Sequence, residues 1–333
     1  MNRQEVIASL DVGGTTISAG IVSTRGEILF QRSVPTYDLG RSDCVLLHIM
    51  YIAREMALKA RERGFTLLGV GLGLPGSVNV DTGTIGYDIQ NIPELACFPL
   101  GVILNNYCEA TTVLDNDVNA LALGELYFGQ ARGVRNLVFI SLGTGVGGGI
   151  VLNGEIHRGV NWYGGELGHM TLNPNGRPCF CGSRGCLKTY VSGPDVVAQV
   201  KERLGEKAAP LLLNLCGNDP TRIDAEQIFA AAEAHDPLCQ ELLGELVQNL
   251  GAAVGNVINF LNPEMILLGG SLLNGNGKYL NSIREWARRY AFREAFEATR
   301  ILYASLDKNT SILGAAALFY HERLRWRGKW DRV

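Results

Sequence analysis

The stretch IASLDVGGTTISAGIVSTRGEI, from Ile7 to Ile28, returns in outline as LVFISLGTGVGGGIVLNGEI, from Leu137 to Ile156. Each is an apolar strand, a glycine-rich turn, a second strand ending in a Gly-Ile-Val triplet, a polar turn and then Gly-Glu-Ile. Gly20-Ile21-Val22 aligns with Gly149-Ile150-Val151, and the turn that follows is one residue shorter in the second copy. Glycine and β-branched residues often make unrelated hairpins, so chance is the plain alternative. Agreement over about 18 positions favours a duplicated lobe.

Working outward, Ser42 to Arg63 carries Val45, Leu46, Ile49, Ile52 and Met56 at helical spacing. The strand LLGVGLGLP follows at Leu67 to Pro75, then a loop rich in glycine and asparagine reaching Pro99. A strand at Thr112 to Leu114 feeds a helix that starts near Val118. Beyond the cysteine cluster at 179–186 helices dominate, at Asp195–Leu204, Ala225–Ala234 and Cys239–Phe260. The strand EMILLGG, a helix over Tyr279–Tyr290, a strand at Ile301–Ala304 and a closing helix at Ser311–Leu324 complete the pattern. Strands alternating with helices in two similar halves predict an α/β fold with mixed sheets. The expected small lobe is residues 1–117, with the closing segment 311–333 packing back on it. The expected large lobe is 118–310.

A chain of 333 residues that is 47% hydrophobic and 19% charged can bury a large core, which excludes a disordered protein. A net charge of −3 supplies no basic field, so nucleic acid is not an expected partner. The start, MNRQEVIASLDVGG, has no apolar run of signal type. No stretch reaches the roughly 20 apolar residues of a membrane span. A cytoplasmic location is expected. Of eight cysteines, Cys44, Cys97, Cys108, Cys216 and Cys239 are scattered, whereas Cys179, Cys181 and Cys186 fall within eight residues. In a reducing compartment such clustering signals metal binding or catalysis before disulfides.

Asp11-Val12-Gly13-Gly14-Thr15-Thr16 puts a carboxylate at the end of a buried strand, followed by two glycines and two hydroxyls. Glycines let the backbone approach an oxyanion, and successive N–H groups form an anion nest. Asp11 can hold Mg²⁺, directly or through water, because that ion takes oxygen ligands and keeps its waters. A hairpin turn with no ligand is the competing reading. The run Gly143-Thr144-Gly145-Val146-Gly147-Gly148-Gly149 also follows a strand. Neither run contains GxxxxGK[ST], and neither opens a helix as a dinucleotide fingerprint requires. Two such loops in equivalent places of two lobes are expected to face each other across a cleft and grip a polyphosphate.

Leu114-Asp115-Asn116-Asp117-Val118-Asn119-Ala120 lies at a strand-to-helix junction. An Asp there can serve as a helix cap and nothing more. The run nevertheless holds more carboxylates and amides than a cap needs. Phosphoryl transfer requires a carboxylate to take the proton of the attacking hydroxyl, while amides fix the other hydroxyls. The expected roles are Asp117 as base and Asn116 as a sugar hydrogen-bonder, with Asp115 pointing away. Further on, His169 with Cys179, Cys181 and Cys186 reads H-x9-C-x-C-x4-C. One imidazole and three thiolates make a closed tetrahedral set for a structural Zn²⁺.

In these motifs the chain resembles the ROK family, named from repressors, open reading frames and kinases, whose kinase members phosphorylate sugars. The resemblance covers almost the whole chain. It includes DVGGTT, GLGLPGSV, NDVNA, GTGVGGG, the ExGH element at Glu166 to His169, the CxCGxxGC cluster and LLGGS at Leu267 to Ser271. It implies the two-lobed actin-like ATPase fold of the hexokinase superfamily, and a homodimer that transfers phosphate from ATP to a hexose, at its 6-hydroxyl. It implies phosphate contacts from Ser9, Leu10, Asp11, Val12, Gly13, Gly14, Thr15 and Thr16. A second set would come from Gly143, Thr144, Gly145, Val146, Gly147, Gly148, Gly149 and Ile150, with Gly269 and Gly270 near the adenosine. Asp117 would be the base, and Asn116, Asp117, Glu166 and His169 would touch the sugar. Zinc held by His169, Cys179, Cys181 and Cys186 would steady the sugar loop. Repressor members carry an N-terminal helix-turn-helix domain; with the phosphate loop at residue 11, none is expected here. A sugar-sensing protein without turnover is the alternative reading.

One position departs from the pattern. Family kinases usually have Glu in GCxE, where this chain reads Gly185-Cys186-Leu187-Lys188. A group that accepts hydroxyl hydrogen bonds is replaced by a cation that only donates. Lys188 is therefore a candidate substrate contact. A changed sugar preference, a side chain turned to solvent, or lost activity would each account for it. The first two agree with the intact Asp117, Glu166 and phosphate loops.

Overall fold

The computed structural model describes residues 3–37, 45–87, 89, 92–205, 207–273, 277–306 and 310–330. Its strands are β1 (Glu5–Val12), β2 (Thr16–Ser23), β3 (Ile28–Pro35), β4 (Thr66–Leu74), β5 (Val78–Asn79), β6 (Thr84–Ile85), β7 (Thr112–Asn116), β8 (Leu137–Leu142), β9 (Val146–Leu152), β10 (Glu155–Ile156), β11 (Met265–Gly269) and β12 (Arg300–Tyr303). Its helices are α1 (Val45–Glu62), α2 (Leu100–Cys108), α3 (Asp117–Tyr127), α4 (Lys188–Val191), α5 (Gly193–Arg203), α6 (Pro210–Leu215), α7 (Ala225–Glu233), α8 (Pro237–Leu261), α9 (Leu280–Tyr290), α10 (Arg293–Ala298) and α11 (Thr310–Trp330). Ser42–Cys44, expected at the start of α1, and residues 331–333 lie outside the described residues. No helix among the described residues is long and apolar enough to cross a membrane.

Two five-stranded sheets repeat one plan. The first has the order β3-β2-β1-β4-β7, and the second β10-β9-β8-β11-β12. In the first, β1, β2 and β3 pair antiparallel while β4 and β7 run parallel to β1. In the second, β9 and β10 pair antiparallel, and β11 lies parallel between β8 and β12. The repeated strand order matches the duplication read from the two glycine-rich segments.

The described residues divide into two compact units, 1–135 with 149–164 and 304–333, and 136–148 with 165–303. In the first unit β4 alternates with period two. Val70, Leu72 and Leu74 join a buried cluster with Val6, Ala8 and Leu10 of β1 and Ile49, Ile52 and Met56 of α1. Gly69 and Gly71 take the opposite face, beneath α11: a Cβ on Gly69 would strike the Phe319 ring, and one on Gly71 the Ala315 carbonyl. Covering both faces explains why β1 and β4 read as nearly continuous apolar runs. α11 also meets α3 where Gly124 faces Gly314, so closely that a Cβ on Gly124 would lie 3.0 Å from Gly314 Cα. That packing draws α3 into the first unit, so the division differs from the lobe limit expected at 117/118.

In the second unit the 25-residue α8 is the longest helix. Asp236 caps it by accepting from Cys239 N–H at 3.2 Å. Asn262, at φ 44°, ends it ahead of Pro263 in the left-handed conformation common at helix C-termini.

Candidate functional site

In the first unit β1 delivers Asp11 to the edge of a turn braced by a residue the sequence reading missed. Gly13 N–H donates to Thr16 O at 2.9 Å, Thr36 N–H to Thr15 O at 2.9 Å, and Thr36 Oγ1 to Gly13 O at 2.6 Å. Thr15 and Thr16 are exposed, and Gly13 and Gly14 are half-buried. Ser9, Leu10 and Val12 are buried, and Ser9 Oγ donates to Gly20 O at 3.3 Å. Their side chains build the strand, so the exposed side chains at the turn are those of Thr15 and Thr16, with Asp11 half-buried beside them. Burial pushes the Asp11 carboxyl up to about 6, and a hydrogen bond with Ser311 of α11 pulls the other way.

The neighbouring strand β7 ends in the Asp115-Asn116-Asp117 turn. Asn116, not an aspartate, caps α3: its Oδ1 accepts from Val118 N–H at 2.9 Å and Asn119 N–H at 3.2 Å. Its Nδ2 donates to Gly76 O at 3.1 Å. Asp117 is then the first helical residue, its Oδ1 2.9 Å from Val118 N. Asp115 is buried and points inward, accepting from Arg158 Nε at 2.8 Å. The parallel register sets Asp11, Gly73 and Asp115 side by side on β1, β4 and β7. A Cβ built on Gly73 would lie 3.4 Å from Asp11 Oδ1 and 3.5 Å from Asp117 Cα. One glycine therefore separates the candidate phosphate ligand from the candidate base.

The second unit assembles a different group. Gly143 N–H donates to Gly145 O, and Gly193 N–H at the start of α5 donates to Gly143 O, both at 2.9 Å. Thr144 and Gly145 are exposed. Gly270 has φ 99°, where a side chain would collide with the Leu142 backbone, and Ser271 Oγ would lie 3.0 Å from a Cβ on Gly143. Gly143 thus meets Ser271, while Gly270 lies against the Leu142 backbone and Gly269 pairs with Ser141. Val146 and Gly147 continue into β9. Gly148 and Gly149 are explained by packing: a Cβ on Gly148 would strike Gly165 O and Leu167, and one on Gly149 would come 2.8 Å from Val118 O. Ile150 is buried.

Glu166 leads into a short 3₁₀ turn, Leu167–His169, and accepts His169 N–H at 3.0 Å through its carbonyl. His169 and the three clustered cysteines bring four ligand atoms within 4.8 Å of one another. Cys179 Sγ lies 3.6 Å from His169 Nδ1, and Cys181 Sγ lies 3.7 Å from Cys186 Sγ. A tetrahedron with Zn–S bonds of about 2.3 Å has edges of about 3.8 Å, which these two separations approach, so the donor set is compatible with zinc once its widest spacing, within 4.8 Å, closes. None of the described cysteines forms a disulfide. Lys188 is not turned freely to solvent. Its Nζ lies 2.9 Å from Asp195 Oδ2 and 4.7 Å from the centre of the Phe180 ring, which meets His169 edge-on.

Sequence reasoning missed Thr36, Gly73, Arg158 and Ser311, since each acts through a partner distant along the chain or through a strand register, and it missed Asp195, whose partner Lys188 lies only seven residues away.

The sequence pattern of the ROK family matches residues 7–322. The chain is 34% identical to a glucokinase of Halalkalibacterium halodurans over 93% of each chain. Among solved structures it is similar to a ROK family glucokinase from Streptomyces griseus in complex with glucose and AMPPNP. The TM-score there is 0.78 at 30% identity, covering 94% of this chain and 98% of that one. It is also similar to a ROK family transcriptional regulator, a homolog of the E. coli MLC protein. That match has a TM-score of 0.82 at 28% identity and covers 96% of this chain and 78% of the regulator. With its paired mixed sheets the chain has the actin-like ATPase fold, and it belongs to the ROK family.

Proposed function

We propose that this chain is an ATP-dependent sugar kinase that transfers the γ-phosphoryl group to the 6-hydroxyl of a hexose or hexose derivative. The observation that carries the reading is that Asp11 Oδ1 and Asp117 Cα lie on either side of Gly73, a placement that suits a phosphate-side carboxylate beside a base. In this reading Asp117 accepts the proton of the sugar hydroxyl. The freed oxygen forms a bond to the γ-phosphorus, the bond from that phosphorus to the β,γ-bridging oxygen breaks, and ADP leaves. Gly13 to Thr16 offer backbone N–H groups and hydroxyls to the phosphates. Gly143 to Gly147 do the same in the second unit, with Gly269 and Gly270 beside the adenosine. Asp11 would hold Mg²⁺, which would supply positive charge against the phosphates.

Glu166, His169 and Asn116 orient the sugar. With Nδ1 turned to the cysteines, His169 would bind zinc through that atom and keep Nε2–H as a hydrogen-bond donor to a sugar oxygen. Zinc there would be structural, since His169, Cys179, Cys181 and Cys186 would fill its four positions. Asn116 contributes its remaining amide hydrogen, as its oxygen is committed to the α3 cap. We further propose that the protein works in the cytoplasm as a homodimer, which light scattering reads directly.

NMR of the product made from ATP and glucose tests the site of transfer: phosphorus coupling to the C6 carbon is expected. Coupling to another carbon contradicts the 6-hydroxyl assignment. The regulator relative keeps a second reading in view. A sugar that raises the melting temperature without any ADP release would establish the protein as a sensor.

A further inference from the structure

Arg158 lies in none of the motifs above, yet it sits at the centre of the first unit's buried charge. Its side chain is 8% exposed, and it bridges two carboxylates that are 2% and 1% exposed. Nε lies 2.8 Å from Asp115 Oδ2, and the terminal Nη2 lies 2.7 Å from Glu322 Oε1 of α11. The other Asp115 oxygen, Oδ1, accepts Asn116 N–H at 2.7 Å and Asn119 Nδ2 at 3.1 Å. One guanidinium thus fixes Asp115, and Asp115 grips both ends of the Asn116–Asn119 turn that carries Asp117. The Arg158 backbone is engaged as well: its carbonyl accepts Gly164 N–H at 2.8 Å and closes the short loop 159–163.

We propose that Arg158 is a positioning residue for phosphoryl transfer, acting through Asp115 to hold Asp117 in register. The inference rests on the reading of Asp117 as base. Removing one partner of a buried ion pair leaves an uncompensated charge, which the structure relieves by protonation or by rotating the carboxylate away. Either response releases Oδ1 from the turn and moves Asp117. Small displacements of a catalytic group can cost about 100-fold in rate while binding persists. Lysine cannot replace the guanidinium, because one ammonium on a flexible stem lacks the planar fork that reaches both carboxylates.

The test compares the full-length wild type with Arg158→Lys, Arg158→Met and the charge-neutral triple variant Asp115→Asn/Arg158→Met/Glu322→Gln. The triple variant removes the buried charges together and so keeps the fold where Arg158→Met alone loses it. Two readouts apply. Kinetics should show kcat down about 100-fold, with KM for ATP and sugar within about threefold of wild type. Hydrogen exchange should quicken at the Asn116 to Asn119 amides by about tenfold or more, while amides of β1 and β4 keep their wild-type rates. A folded triple variant with wild-type kcat overturns the proposal, as does exchange that quickens uniformly across the unit. If the wild type phosphorylates no sugar, the kinase reading fails alone, and the exchange pattern still decides whether Arg158 sets the turn.

Discussion

Burial of Asp11 at the end of β1 favours its protonated form, with a carboxyl at about 6 against 3.8 when solvated. The folded value lies above the unfolded one. The stability this group contributes is therefore complete below pH 4 and lost as the pH rises through about 6. By neutral pH the ionised form costs the nucleotide-free protein roughly 2–3 kcal/mol. Asp11→Asn should accordingly raise the melting temperature at pH 8 and leave it near wild type at pH 4, while abolishing turnover with Mg²⁺ and ATP. Calorimetry at the two pH values checks the first part, and an equal shift at both would contradict it. Lys188 gives a second prediction. Its side chain is 14% exposed and paired to Asp195, so Lys188→Glu sets two carboxylates against each other. Stability should fall by roughly 1–2 kcal/mol with the ranking of sugars unchanged. A reordered ranking of kcat/KM at unchanged stability would instead put this position in contact with the sugar.

At the scale of elements, what was legible in the sequence was local. The two glycine-rich hairpins and the cysteine cluster announce themselves because the residues that form each lie within about two dozen positions, where turn chemistry decides the backbone. The cap of α3 was read less well: an Asp was considered for it, and Asn116 takes it, because its oxygen reaches two N–H groups of the first turn. The closing segment was expected to pack back on the small lobe, but the residues that α11 would touch were not legible. Gly71 lies in the strand read at Leu67 to Pro75, and its purpose appears only when Ala315, far along the chain, packs on it. Gly71→Ala should overpack this contact and destabilise the first unit by roughly 1–3 kcal/mol or more, read from urea unfolding. An unchanged midpoint would remove the close approach from the account. The zinc loop carries its own prediction. Metal analysis should find about one zinc per chain, and chelation should weaken sugar binding more than ATP binding, as the proposed double role of His169 toward ion and sugar requires. Equal loss of both would separate the ion from the sugar site.

At the scale of the whole molecule, the repeated strand order shows that one βββαβ-type plan was used twice and then given different chemistry. The first copy carries carboxylates, Asp11 and Asp117; the second carries glycine backbone and, after it, the Cys/His loop. Hydrophobic periodicity reveals such a plan, because every strand and helix writes its buried face into the sequence. It does not reveal Arg158, Asp115 and Glu322 as a group, since the arginine lies 43 and 164 positions from its partners. Nor does it show that α3 joins the first unit, which depends on Gly124 meeting Gly314. The central claim, that Asp117 drives phosphoryl transfer from ATP to a sugar, is tested most directly by one measurement. ADP release is followed for the wild type and Asp117→Asn over a panel of hexoses with Mg²⁺ and ATP, alongside calorimetric binding of the same sugars. The account predicts sugar-dependent release by the wild type and a fall of about 10²–10⁴-fold in the variant, with sugar binding retained. Release by Asp117→Asn at the wild-type rate, or release by the wild type that no sugar stimulates, would contradict it.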